Sequence, residues 1–196
     1  MSLLNNYNHD GKIAELQYQV AVYEDESAYK TLFFLLFPSL QNFAFSIVKS
    51  RLLAEEIASD LLLDVWVRRQ SLLKIENLKV YLFVAAKNAA VQKLRQENKY
   101  INFCIDNLDV EFASEYISPE QSVELQELNE TINKAVRDLP PACQMIYKLA
   151  KEDRLKYKEI AQILELSVKT IDNQLAIALK RIANALHIAP SKKNKP

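Results

Sequence analysis

Glycine is almost missing: Gly11 is the one glycine among 196 residues. A chain with a single glycine has no phosphate-cradling glycine loop and no dinucleotide fingerprint, both of which need several glycines at fixed spacing. It also lacks the glycine-containing turns of hairpin-rich β architecture. Cysteine and histidine are scarce. Cys104 and Cys143 stand far apart, and His9 and His187 lie near the two ends, so no recognised zinc spacing can be drawn. Both thiols are expected to be reduced, as in a cytosolic protein. No apolar run approaches the ~20 residues that span a bilayer; the longest, residues 32–38, ends in Pro38. Residues 1–11 are polar and lack a signal-peptide pattern. The expected setting is cytoplasmic, with no direct membrane insertion. No nucleophile–base pair or metal-ligand constellation stands out, so the expectation is a protein that is not an enzyme and has no cofactor.

What is there points to helix. Leu, Ala, Lys and Glu dominate, and these are good helix formers. Formal net charge is zero, yet the charge is segregated. Residues 148–196 hold 11 Lys and Arg against 5 Asp and Glu, a net +6; residues 101–139 hold 2 against 9, a net −7; residues 1–100 hold 12 against 11. A basic C-terminal part behind an acidic middle is informative where a neutral total is not. A solvated acidic linker accounts for the middle equally well.

The most informative stretch is 139–186. Tyr157, Ile160, Ala161 and Leu164 recur at helical spacing. Glu165, Leu166 and Ser167 interrupt, and Ser167 is a good N-cap. Val168, Ile171, Leu175, Ala178, Leu179, Ile182 and Leu186 then form an apolar stripe of threes and fours. The opposite face carries Lys169, Thr170, Asn173, Gln174, Lys180 and Arg181, donors and acceptors suited to phosphates and base edges. This pattern is that of a helix-turn-helix whose second helix enters a major groove. Two amphipathic helices joined by a short turn are also common in helical proteins without a DNA role. The turn residue that often needs φ > 0 is here Glu165, not glycine, which costs about 1–2 kcal/mol.

Upstream, helices are expected over 12–23, 28–37 and 39–48, with Pro38 separating the last two. Phe33, Phe34, Phe37, Phe43 and Phe45 are expected in the core. Over 54–66 the buried stripe is Ala54, Ile57, Ala58, Leu61 and Val65, with Trp66 most simply core. Glu56, Asp60 and Asp64 follow at steps of four, an acidic line that serves solubility or a basic partner. A turn at 75–77 precedes a strong helix over 78–95. There Leu78, Leu82, Ala85, Ala86 and Ala89 face inward, and Asn88, Gln92, Arg95 and Lys99 line another side with Lys87 close by. With Tyr81 and Phe83 near its start, this face suits single-stranded nucleic acid, by charge and stacking; a solvated helix face looks the same. Residues 100–120 show little periodicity. Helices over 120–139 and 142–150 follow, divided by Pro140 and Pro141. The expected architecture is all-α: an N-terminal domain at 12–99, an acidic linker at 100–120, a helix-turn-helix domain at 121–188 and a basic tail at 189–196.

Both halves together resemble the extracytoplasmic-function (ECF, group IV) sigma factors, with a texture similar to versions common in Bacteroides-type bacteria. Ala54, Glu55, Glu56, Ile57, Ala58, Ser59 and Asp60 through Trp66 resemble the helix that docks the polymerase clamp. Tyr81 to Asn88 through Leu94 and Arg95 resemble the helix that melts and reads the downstream promoter element. Leu139-Pro140, Tyr157 to Ala161, Ser167 to Ile171 and Ala178-Leu179 resemble the domain that reads the upstream element. The family often has Gln where Ser59 stands, Arg at Lys87, Asp at Gln92 and Gly at Glu165. The resemblance implies core RNA polymerase and promoter DNA, duplex and melted, as partners, with an anti-sigma factor holding the protein inactive. It puts Glu56, Asp60 and Asp64 on polymerase. It puts Lys158, Lys169, Lys180 and Arg181 on phosphates, with Thr170, Asn173 and Gln174 at base edges. Asn88, Gln92 and Arg95 come near the melted strand, with Lys87 and Lys99 on its backbone. The alternatives are a dimeric helix-turn-helix regulator acting without polymerase, and a helical interaction protein with no DNA role.

Overall fold

Asp25 starts the longest helix of the computed structural model, which describes residues 6–97 and 123–186. The Asp25 carboxylate accepts hydrogen bonds from the backbone N–H groups of Ser27 (2.8 Å) and Ala28 (3.1 Å), satisfying two donors that a helix start leaves free. The chain divides near residue 103 into two compact units. Every described element is helical, as expected of an all-α protein.

In the first unit, α1 (Asn6–Tyr23), α2 (Glu26–Val48), α3 (Arg51–Val67) and α4 (Leu78–Glu97) are joined by short turns and one 3₁₀ turn, Arg69–Lys74. α2 is central and packs against α1, α3 and α4. Its buried stripe, Ala28, Leu32, Leu36, Leu40, Phe43, Ala44 and Ile47, runs unbroken past Pro38. The expectation of two helices divided there is therefore corrected: α2 is one helix of 23 residues. Pro38 removes the N–H that would bond the Phe34 carbonyl, but both residues face solvent, so water can serve that carbonyl. Continuity also makes α2 long and apolar enough to cross a membrane by length and composition alone, although its apolar face is the one that α1, α3 and α4 cover.

The phase of each helix decides which residues enter the core. α3 buries Ala54, Ile57, Ala58, Leu62 and Val65, so Leu62 takes the place expected for Leu61. Of the five phenylalanines expected inside, Phe43 is buried and touches Phe83 (ring centroids 5.1 Å), Phe33, Phe37 and Phe45 are half-buried, and Phe34 is 66% exposed. Trp66 is half-buried: it lies against Tyr29 (5.0 Å between ring centroids), and the Arg69 guanidinium sits 4.9 Å over its ring. The Tyr29 hydroxyl donates to the Leu62 carbonyl at 3.1 Å, and burial pushes its pKa up. Buried Gln17 closes the 3₁₀ turn, its amide donating to the carbonyls of Leu72 and Ile75, both at 2.7 Å. Asn77 caps α4, accepting from Val80 N–H at 3.1 Å.

The second unit holds α5 (Val123–Arg137), α6 (Pro141–Lys151), α7 (Tyr157–Leu164) as far as Ala161, and α8 (Val168–Ala185). Pro140 and Pro141 divide α5 from α6, and Pro141 occupies the first turn, where its missing N–H has no helical partner to lose. α5 and α6 pack on α8 around Ala135, Val136, Leu139, Cys143, Ala178 and Ile182, with Ile132, Tyr147 and Leu186 at the edge. The expected linker at 100–120 and tail at 189–196 lie outside the described residues, as do Lys99, Cys104 and His187.

Candidate nucleic-acid interface

The turn between α7 and α8 is built without glycine. Glu165 takes the left-handed conformation (φ 58°, ψ 41°) despite its side chain, so the absence of glycine does not reshape the turn, and its N–H bonds back to the Ala161 carbonyl. Leu166 N–H reaches the same carbonyl at 3.0 Å. Ser167 is extended, and its hydroxyl accepts from Thr170 N–H at 3.0 Å, starting α8. At the other end, the Glu159 carboxylate accepts from Lys156 N–H at 2.7 Å, so the first turn of α7 is closed as well. The 8-residue α7 and the 18-residue α8 thus each start on a hydrogen-bonded cap.

α8 turns Ile171, Leu175, Ala178 and Ile182 inward. Val168 and Leu179, read into the same stripe, are instead 42% exposed. Val168 is the first residue of the helix, and Leu179 lies about 100° round from Ala178. The solvent face carries Lys169, Asn173, Ala176, Ile177, Lys180 and Arg181, all exposed, and Lys158 is exposed on α7. Lys158, Lys169, Lys180 and Arg181 have no ion-pair partner among the described residues.

The three expected base-edge residues separate. Asn173 projects into solvent. Gln174 is half-buried, and its side-chain oxygen accepts from the Cys143 thiol at 2.8 Å. Thr170 is half-buried, with its hydroxyl 2.8 Å from that of Ser167. Gln174 and Thr170 therefore serve the helix and its start, and Asn173 is the one whose amide is clear of the protein.

On α4, Asn88, Gln92 and Arg95 are exposed along one ridge, and exposed Tyr81 falls on the same line two turns earlier. Phe83 is fully buried. Lys87 does not join this ridge: it is 4% exposed, between Phe83 and Ala90 on the core stripe. The steps of four and three from Phe83 to Lys87 to Ala90 set its direction, whatever its charge, and its stem is apolar enough to lie there. Lys87 as a contact to nucleic-acid backbone is corrected accordingly.

The acidic line of α3 is exposed but partly matched. The Lys93 ammonium lies 2.8 Å from the Glu56 carboxylate, tying α4 to α3, and Arg68 lies 3.5 Å from Asp64. Such exposed pairs contribute about 0–1 kcal/mol. Asp60 stands between them, exposed. Among the described residues no group of three or more His, Cys, Asp or Glu converges as a metal site would.

Comparison with known proteins adds two findings. The family model described as Sigma-70, region 4 matches residues 129–182, from within α5 to the buried end of α8. No curated protein sequence matches the chain. Among solved structures, the sigma factor RpoE in its co-crystal with the anti-sigma factor NepR from Bartonella quintana is similar, with a TM-score of 0.52 and 21% identity, over 83% of this chain and 98% of that one. At that identity the similarity is one of fold.

Proposed function

We propose that this chain is a sigma factor of the extracytoplasmic-function type, a transcription initiation factor with no catalytic chemistry of its own. The carrying observation is the match of Sigma-70, region 4 to residues 129–182, which include most of the α7–α8 helix-turn-helix, in a chain whose fold is similar to that of a sigma factor over 83% of its length. In this reading α8 docks the duplex upstream element. Lys158, Lys169, Lys180 and Arg181 neutralise phosphates, and Asn173 meets base edges. The α4 ridge of Tyr81, Asn88, Gln92 and Arg95 captures unpaired bases of the downstream element, with Tyr81 offering a stacking face. Asp60, with Glu56 and Asp64, meets the basic surface of core RNA polymerase. The finer placement among Bacteroides-type members rests on sequence texture. An anti-sigma factor is the expected inhibitor, as the similar fold was crystallised with one. Action in the cytoplasm follows from the same reading.

The test is co-purification with core RNA polymerase, native chain against a Glu56→Ala, Asp60→Ala, Asp64→Ala triple variant. Native binding that the variant loses is the expected result. Equal binding by both keeps the sigma reading and moves the docking surface elsewhere. Binding by neither, with tight binding to duplex alone, favours a polymerase-independent regulator.

A further inference from the structure

On α8 the outermost line of the helix is Lys169, Asn173 and Lys180, opposite buried Ile171, Leu175, Ala178 and Ile182, with exposed Ala176 and Ile177 about 50° to either side of it. A lone exposed isoleucine is ordinary on a protein surface. Ile177 differs in its company. It lies one turn beyond Asn173, beside exposed Ala176, and between two cations about 16 Å apart along the axis. A helix seated in a major groove by Lys169 and Lys180 brings this patch against base edges, not phosphates.

Resting on the proposed sigma function, we infer that Asn173 and Ile177 together make α8 a reader of A·T base pairs, Asn173 through the adenine edge and Ile177 through a thymine methyl. The chemistry fits in both halves. A carboxamide pairs with adenine N6 and N7 in the major groove, and only thymine presents a methyl group there. Asn173 is better placed for the adenine edge than half-buried Gln174 and Thr170, whose side-chain oxygen and hydroxyl are engaged with Cys143 and Ser167. Ile177, 42% exposed without a nucleic-acid partner, buries apolar surface against the methyl, which a cation or amide at that position would not.

The experiment uses the full chain bound to core RNA polymerase. Duplexes are first selected from a random library, and each thymine of the upstream element is then replaced by deoxyuridine, which lacks only the 5-methyl. At one or two positions the replacement should weaken binding by the native chain about fourfold, taking ~0.8 kcal/mol for a buried methyl-sized group and ~1.4 kcal/mol per tenfold. The same replacement should leave binding by Ile177→Ala unchanged. Alanine is the better helix former, so the variant keeps α8. No sensitive position, or an equal loss in native and Ile177→Ala proteins, overturns the assignment. If no duplex is selected at all, the sigma reading fails and this inference with it, before any thymine has been replaced.

Discussion

Backbone strain and backbone freedom are misallocated at single residues of this chain. Among the described residues, Glu24, Lys49, Arg154 and Glu165 hold positive φ, and none is glycine. The one glycine, Gly11, lies within α1 at a point where an added Cβ meets nothing within 4 Å. Each non-glycine left-handed residue costs about 1–2 kcal/mol, and glycine within a helix costs about 0.5–1 kcal/mol against alanine. Two substitutions should therefore stabilise the protein by similar amounts. Gly11→Ala should add about 0.5–1 kcal/mol by removing unfolded-state freedom from α1. Arg154→Gly relieves the left-handed strain but adds unfolded-state freedom, leaving a net gain of about 0.5–1 kcal/mol. Urea unfolding followed by circular dichroism measures both. A loss from Gly11→Ala would mean that its position is not helical in solution.

At the scale of the element, the start of α8 depends on one side chain. Ser167 accepts from Thr170 N–H and holds the Thr170 hydroxyl, so Ser167→Ala should cost about 1 kcal/mol. The loss should appear as fraying of the first turn, seen as faster amide exchange at Thr170 and Ile171, with α6 unaffected. This cap was legible in the sequence because a serine before a long amphipathic stripe has one good structural use. The turn at Glu165 was half legible: its position follows from two helices with only three residues between them, but the missing glycine argued against the left-handed shape that Glu165 adopts. Other features were not. Pro38 reads as a boundary, but the apolar stripe of α2 on its far side is continuous in phase, and tertiary packing overrode the local signal. Lys87 reads as surface because it is charged, yet each residue turns a helix by about 100° and the Phe83–Ala90 line carries it inward. The exchange of Leu61 for Leu62 is an error of one such step in a run of three leucines, where composition gives no phase. Gln17 and the 3₁₀ turn it closes depend on contacts more than fifty residues apart, which no local pattern encodes.

Across the whole molecule, 25 cations balance 25 anions, so the free chain has no net charge to draw it to DNA from a distance. The +6 of residues 148–196 acts at short range and is screened within about 8–10 Å at ordinary salt. Affinity for duplex should then depend on polymerase holding the chain in place, with the cations of α7 and α8 contributing an electrostatic increment. Lys158, Lys169, Lys180 and Arg181, if each neutralises one phosphate, give a slope of log affinity against log salt of about −3.6 from this unit. Lys180→Ala in the polymerase-bound chain should make the measured slope shallower by about 0.9 and weaken binding evenly across promoter sequences. Ile177→Ala should leave the slope unchanged and alter only base preference. The pair separates charge from readout on adjacent turns of one helix. If Lys180→Ala changed base preference with the slope intact, Lys180 would face base edges, and the seating of α8 in the groove would be rotated from the one described.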